Sequence, residues 1–399
     1  MVVTVKGKTR DLLRFIFHLR KRNRLFKKAP AAKVSPGPMN ILAQELHPLF
    51  LELKVTQVRQ ETPLSKTFRL AATEEGKKLP CFRAGQYLVV EDRVEGTPVS
   101  RPFSLSSTPD EAADGGYYDI TVKGDESGFF APWALSTWKT GKILRCTGPA
   151  GNFYIEPLRE ADHLVCLAGG SGITPFRSII KDSLSRNEAY RFTLLYGIPS
   201  EEEMIFRQEL QELRRLNPDR FTFVPVCSGE QAPEGMEKGF ITADLIRRYV
   251  SDIGGVSFFF CGPPAMGKHL EEELKVFHLA PRRSRREHYG NPPLESQGEA
   301  EYSVTVISGE DRKTMAARED ETVLIALERA GLNPPAMCRS GECGWCRSRL
   351  LEGEIRVPDG VSGLRRGDEK FGWFHPCSSY PRSDLVMEVP ENPLKNTGE

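Results

Sequence analysis

The stretch HLVCLAGGSGITPFRSII, residues 163–180, decides the architecture of this chain. An apolar strand runs into Gly169, Gly170 and Gly172, and a helix is expected to open at Thr174-Pro175. Glycine lets a backbone approach a phosphate closely, and a helix N-terminus favours its negative charge. Proline at position 175 suits a first helical turn. Around this stretch, the apolar segments RFTLLYG, FTFVPVC and SFFFCGP each precede a helical pattern, such as EEEMIFRQELQELRR, residues 201–215. Strand–helix alternation of this kind predicts a parallel α/β sheet. The last of these strands ends in Cys261-Gly262-Pro263-Pro264, which alone reads as a strand cap with a small buried thiol.

Upstream the period changes to two. LELKVTQVRQ, KTFRLAA, QYLVVED, RPFSLSS, YYDITVK and KILRCTG are short segments separated by turn-formers, which predicts an antiparallel barrel. Within SRPFSLSS, residues 100–107, Arg101 can neutralise a pyrophosphate, Phe103 can cover an aromatic ring and the Ser104 hydroxyl can reach a ring nitrogen. Pro102 lies between them.

Downstream, PRRSRREHYGNPPLESQGEAE, residues 281–301, is charged and aperiodic and reads as a linker. After it come strands YSVTVIS and RKTMAAR, helix TVLIALERAG and the loop MCRSGECGWCRSRL, residues 337–350. Cys338, Cys343 and Cys346 form C-x4-C-x2-C, and Cys377 follows. Four thiolates can fill the tetrahedral sites of two sulfide-bridged irons, and this is the spacing of a two-iron cluster. A zinc site would more usually show two C-x2-C pairs or a Cys/His mixture. A redox C-x-x-C would open a helix in a βαβ unit, which is lacking here. Gly341 and Gly344 let the loop wrap so that N–H groups point at sulfur. Trp373 and His375 read as packing residues.

With 399 residues, two or three domains are expected. No apolar run approaches the roughly 20 residues that span a bilayer. Nine cysteines without a framework spacing point to a reducing cytoplasm. The seven histidines are scattered, and no Ser/His/Asp arrangement is evident. No nucleic-acid partner is expected. The net charge of +1 hides a division, because residues 1–40 carry eleven Lys/Arg against Asp11, leaving −9 for the remainder. In DLLRFIFHL, Asp11, Arg14 and His18 share one helical side, and Leu12, Phe15, Ile16 and Leu19 the other. Arg14 and His18 interrupt the apolar run, which argues against a secretory signal. Residues 6–28 read as a basic amphipathic helix on an anionic membrane, on the inner face, or on an acidic partner. A helix packed on its own protein, or a frayed basic tail, is the alternative. APAAKVSPGP, residues 29–38, is a linker.

Taken in order, the three motifs of residues 50–280 resemble the ferredoxin–NADP+ reductase superfamily, and residues 302–394 resemble a plant-type [2Fe-2S] ferredoxin domain. Gly372 to Cys377 matches that domain's segment around the fourth ligand. The resemblance implies a multidomain protein: a basic segment (1–40), an FAD-binding antiparallel β-barrel (50–158), an NAD(P)-binding parallel α/β domain (159–280), a linker (281–301) and an α+β, β-grasp ferredoxin-like domain (302–394). It also implies that Arg101, Pro102, Phe103, Ser104 and Gly128 bind flavin, and that Gly170, Gly172, Thr174 and Pro175 bind the pyridine nucleotide. Cys261, Gly262 and Pro263 would lie against the nicotinamide, with Ser104 and Cys261 at the hydride-transfer site. Gly128-Phe129-Phe130-Ala131 departs from the usual G-x-x-S, which lacks its hydroxyl here. The implied function is an NAD(P)H-dependent reductase. It passes a hydride to FAD and single electrons through the cluster to a separate protein acceptor, an oxygenase or another redox protein. Reverse flow to NAD+ and a non-catalytic wiring component are the rival readings. Glu201–Glu203, Gly229 and Glu230 favour NADH over NADPH, because acids repel a 2′-phosphate and accept a ribose diol; Arg207 opposes that argument. Arg339, Arg347 and Arg349 flank the cysteines, so a basic rim and an acidic acceptor face are expected.

Overall fold

A computed structural model of the chain describes residues 8–28, 37–46, 48–124, 128–229, 232–288, 300–358, 361 and 363–390. Lys6, the linker at 29–36, Glu230 and most of the 281–301 linker lie outside them. Contacts divide the chain into Met1–Glu45 and Leu46–Glu399.

In the first unit, helix α1 spans Lys8–Lys28, and α2 begins at Pro38 and runs to Leu46. On α1 the Phe15, Ile16, Leu25 and Phe26 side chains are exposed, alongside the basic ones.

The second unit opens with strands β1 (Leu51–Thr62), β2 (Ser65–Ala72), β3 (Tyr87–Val94), β4 (Thr97–Ser104), β5 (Tyr117–Lys123) and β6 (Ile143–Ala150). Their order is β4-β3-β6-β1-β2-β5, and all the pairings are antiparallel. A bridge between Leu105 and Ile120 brings the two edges together, closing the sheet into a barrel. Helices α3 (Pro109–Gly115) and α4 (Phe130–Thr137) attach to it. Trp138, at the end of α4, is buried edge-on against Phe68 at 5.2 Å. Alternation along β1, whose Leu51, Leu53 and Val55 point inward, follows from one face being wet.

Strands β7 (His163–Gly169), β8 (Arg191–Ile198), β9 (Phe221–Cys227), β10 (Glu237–Lys238), β11 (Val256–Cys261) and β12 (Ser284–Glu287) form a parallel sheet in the order β10-β9-β8-β7-β11-β12. Here the strands are apolar without alternation because both faces are covered. Cys166, Ala168, Phe259 and Cys261 pack into one core, with α5 (Ile173–Ser185) and α6 (Arg207–Leu216). Val165, Leu167, Phe258 and Phe260 pack into the other, with α7 (Ala243–Tyr249) and α8 (Pro264–Lys275). Two expectations change. The stretch 281–301 is not all linker, since Ser284–Glu287 is the edge strand β12 beside β11. The helix expected from residue 201 begins only at Arg207; Met204, Ile205 and Phe206 turn into the core, and Phe206 takes a left-handed φ of 60°.

The last module contains β13 (Glu301–Ser308), β14 (Asp311–Arg318), α9 (Val323–Arg329), β15 (Ser348–Glu352), β16 (Ile355–Arg356), β17 (Trp373–Phe374), β18 (Tyr380–Pro381) and β19 (Leu385–Glu388). The main sheet runs β14-β13-β19-β15-β17. Thr322 caps α9 by accepting from Ile325 N–H at 3.3 Å. One face of α9 buries Val323, Ala326 and Leu327 against this sheet, while Leu324 packs on Cys346 and Cys377.

Candidate functional site

Three strands end at one point. Ser104 closes β4, Cys261 closes β11 and Glu287 closes β12. The Ser104 hydroxyl donates to Glu287 Oε2 at 3.2 Å, and the Cys261 thiol lies 3.6 Å from the same oxygen. Carboxyl ends of parallel strands are where such sheets bind ligands. Sequence reading selected Ser104 and Cys261 but missed Glu287, because the charged SRRE of β12 carries no apolar strand signal.

The nucleotide loop leans on this point. Gly170–Gly172 form a 3-10 turn between β7 and α5. A Cβ on Gly172 would stand 2.2 Å from the Cys261 carbonyl oxygen, and one on Gly169 would stand 2.1 Å from Met266 Sδ. Glycine here is therefore a packing requirement as well as an opening for phosphate. Thr174 donates to the Ser171 carbonyl at 2.6 Å, and Tyr196 to the Gly170 carbonyl at 2.9 Å. Pro175 is buried in the first turn of α5. Gly262 and Pro263 link β11 to α8.

Arg177, on α5, ties this domain to the barrel. Its guanidinium reaches the Ser106 carbonyl and pairs with Glu209 (2.6 Å) and Glu111 (3.4 Å). Burial alone would raise both carboxyls, but Arg177 and Lys181 hold them below their ordinary value. No motif marks Arg177; it follows the glycine loop as an ordinary helix residue.

In the ferredoxin-like module the four cysteines converge. Cys346 and Cys377 sulfurs are 3.4 Å apart. Cys338 Sγ accepts from the N–H of Ser340 (3.4 Å) and Cys343 (3.3 Å), and Cys343 Sγ accepts from Trp345 N–H (3.4 Å). Gly341 and Gly344 take φ of 79° and 71°, which is what aims these N–H groups inward. The Cys338 thiol is pushed far down, first by hydrogen bonding from Cys343, while Cys343 and Cys377 are pushed up. Cys346 is likewise pushed down, first by hydrogen bonding from Cys377, so one thiolate of each pair suppresses its neighbour, and holding all four as thiolates needs cationic charge among them. This donor set suits two irons. His375 is buried and bonds the Gly341 carbonyl through Nδ1 at 2.7 Å, and Trp373 stacks under Arg347 at 4.4 Å, so neither is placed as a ligand. The basic rim is corrected. Arg339 is buried against Glu328, Arg347 pairs with Asp368 (3.0 Å) and Arg349 lies 3.8 Å from Glu388. Each arginine has an acid beside it.

Barrel and ferredoxin-like module meet at a cleft of about 390 Å³, walled by Arg101, Pro102, Phe103 and Gly128 on one side and by Ile325, Arg339 and Cys377 on the other. Arg101 lies 3.7 Å from Glu328. Its guanidinium sits over Phe129 at 5.1 Å. This cationic, aromatic-walled cleft suits a flavin nucleotide. Tyr87 stands nearby; its phenol is pushed up by burial first, then by Cys338, Cys343, Glu287 and Glu342.

A barrel, a parallel sheet and a four-thiol loop meeting in this way define a flavoprotein reductase with its own iron–sulfur carrier. Residues 52–155 match the oxidoreductase FAD-binding domain, 166–272 the oxidoreductase NAD-binding domain and 306–382 the 2Fe-2S iron–sulfur cluster binding domain. The chain is 30% identical over 349 residues to the ferredoxin reductase component of 3-ketosteroid-9-alpha-monooxygenase from Rhodococcus rhodochrous, covering 83% of this chain and 94% of that one. It is 27% identical to a component of the 1,2-phenylacetyl-CoA epoxidase of Escherichia coli K12, covering 85% and 97%. Phthalate dioxygenase reductase shares the fold, with a TM-score of 0.60, 22% identity and coverage of 86% and 98%. The chain belongs to this family of single-chain ferredoxin reductases, in which FAD-, NAD- and [2Fe-2S]-binding domains follow one another. It is a flavin-dependent NAD(P)H oxidoreductase that passes electrons through FAD and a [2Fe-2S] cluster to a separate protein acceptor.

Proposed function

We propose that the acceptor is an oxygenase and that the nucleotide is NADH. The observation that carries this reading is the two-sided cysteine site: Cys377 lines the cleft toward Phe103, and Cys343 is exposed. Electrons arriving from the flavin side have an outlet at the surface. The relatives named above include components of a monooxygenase and of an epoxidase. Reconstitution with purified non-haem oxygenases tests it. NADH consumption matched by substrate oxygenation supports the reading; cluster reduction with no turnover in any such pairing overturns it.

The site roles belong to this proposal. Cys338, Cys343, Cys346 and Cys377 hold the cluster. Arg101, Pro102, Phe103 and Gly128 hold the flavin, and Gly170, Gly172, Thr174, Pro175, Gly262 and Pro263 receive the nucleotide. Ser104, Cys261 and Glu287 set the face where the nicotinamide meets the flavin, by position and by excluding water. The FAD chemistry is that of a two-electron acceptor able to release electrons singly. Domain limits of 50–158, 159–287 and 300–390 follow, with β12 added to the nucleotide domain. For NADH, the support is that Arg207 pairs with Glu201 and Lys123 with Glu203 (2.5 Å), so neither cation stands unpaired for a 2′-phosphate. A higher kcat/KM for NADPH than for NADH would sink it.

Helix α1 supports a peripheral place on the inner membrane face, since exposed Phe15, Ile16 and Phe26 accompany a dense basic charge. No helix among the described residues is long and apolar enough to cross a membrane. Glutamates in place of Arg20, Lys21, Arg22 and Arg24 should abolish co-sedimentation with phosphatidylglycerol vesicles. Unchanged sedimentation overturns the assignment.

A further inference from the structure

At the cleft between the barrel and the ferredoxin-like module, two arginines meet one glutamate. Arg101 enters from β4 and Arg339 from the cysteine loop, and Glu328 of α9 lies between them. Glu91, which also feels Glu328, has Arg145 and Arg93 beside it. Two guanidiniums share one carboxylate here, and a buried donor left without an acceptor is costly. Arg339 is the more telling of the two. Its side chain is 8% exposed, and among the described residues only its Nη2 group is bonded, to Glu328. The Nε group is buried with no partner among the described residues.

Sequence supplies a second reason. Ala131, in the stretch from Gly128 that opens α4, lines this same cleft with a side chain that carries no hydrogen-bond donor. A phosphate there lacks one donor on the barrel side.

We propose that Arg339 is a second anchor for the phosphates of the flavin nucleotide, so that the ferredoxin-like module completes the flavin site. Arg101 grips the anion from the barrel and Arg339 from the loop that carries Cys338. The proposal rests on the reading of Arg101 as a phosphate ligand and is independent of the acceptor. Its consequence is linkage: flavin occupancy and docking of the two modules stabilise each other.

The full-length apoflavoprotein, titrated with FAD and with riboflavin while flavin fluorescence is followed, tests this, with iron content and visible circular dichroism reporting the cluster. Arg339→Gln should raise the Kd for FAD about tenfold, as loss of one charge-assisted contact does, and leave riboflavin unchanged. Arg339→Lys should stay within a few-fold of the native chain. Both variants carry the same left-handed backbone (φ 59°), so their difference isolates charge. Glu328→Gln should hold or improve FAD affinity, because it removes a competing carboxylate. Unchanged FAD affinity in Arg339→Gln with an intact cluster overturns the proposal. So does parallel loss of FAD and riboflavin binding in Arg339→Gln and Glu328→Gln, which would make the pair a structural clasp. If Arg339→Gln loses its cluster, Glu328→Gln decides, and a fall in its FAD affinity overturns the proposal. Arg101→Gln separates the two readings. Weakened FAD binding there, with none in Arg339→Gln, sinks the second anchor alone, whereas no effect in either sinks both.

Discussion

At residue scale the four cysteine sulfurs are drawn together by the wrap of one loop and the short turn at Cys377. Their spacing is written in the chain, yet the charge they share is not. Cys338 and Cys346 are pushed down while Cys343 and Cys377 are pushed up, so all four are held as thiolates only with cationic charge between them. Cys343→Ser should therefore cost the cluster iron and its visible absorbance and bring acceptor reduction to background. Bleaching of the flavin by NADH should persist, because Ser104, Cys261 and Glu287 form a separate point. Loss of flavin bleaching in an iron-depleted Cys343→Ser protein would show that the two sites are not separable. Glu287 was invisible in sequence for a plain reason. An edge strand of four residues, all half-buried, needs no apolar pattern, and what makes Glu287 matter is a hydroxyl 183 positions away.

At the scale of elements, two contacts set the relation between flavin and nucleotide domains. The first is the glycine turn against the Cys261 segment. A methyl at Gly172 would meet backbone, which cannot swing aside, so the turn must shift. Gly172→Ala should lower kcat/KM for NADH on the order of a hundredfold, since a displacement near 1 Å at the reacting face carries that cost. Steady-state kinetics with an unchanged flavin spectrum would check it. The second contact is the Arg177 network. Arg177→Met strands two carboxylates with Lys181 alone and should destabilise the fold by about 3 kcal/mol in urea unfolding. Its pH dependence has a definite sign. Glu111 and Glu209 sit below their ordinary value of 4.5 when folded. Their stabilisation is complete above that value and is lost as pH falls below it toward the folded values. The unfolding midpoint of the native chain should drop in that window, and more steeply than in Arg177→Met.

At the scale of the molecule, charge is divided between a basic leading segment and an acidic remainder. Attraction of α1 to anionic lipid falls within a Debye length, about 10 Å at 0.1 M salt. Vesicle binding should be strong in dilute salt and lost near 1 M. Binding that survives 1 M salt would mean that the apolar side chains alone hold the helix. The acidic main unit adds no charge attraction to such a surface, so association rests on the first unit.

Sequence alone determined the three modules, their order and their cofactors. Periods of two and of strand–helix alternation are local consequences of how each strand is covered, and ligand spacings such as C-x4-C-x2-C are local consequences of a loop wrapping its cluster. The glycine turn of residues 169–172 was legible for the same reason, and Arg101, Ser104 and Cys261 were legible as candidates. Tertiary structure alone decided which side chains meet across modules. It brought Glu287 to Ser104 and Cys261, Arg177 to Glu111, and Arg339 to Glu328 and Arg101. It also removed the basic rim, by burying one arginine and placing acids from distant segments beside the other two. Such meetings depend on chain reversals and domain packing over separations of tens to hundreds of residues. No periodicity records them, because the partners share a location and not a neighbourhood in the chain.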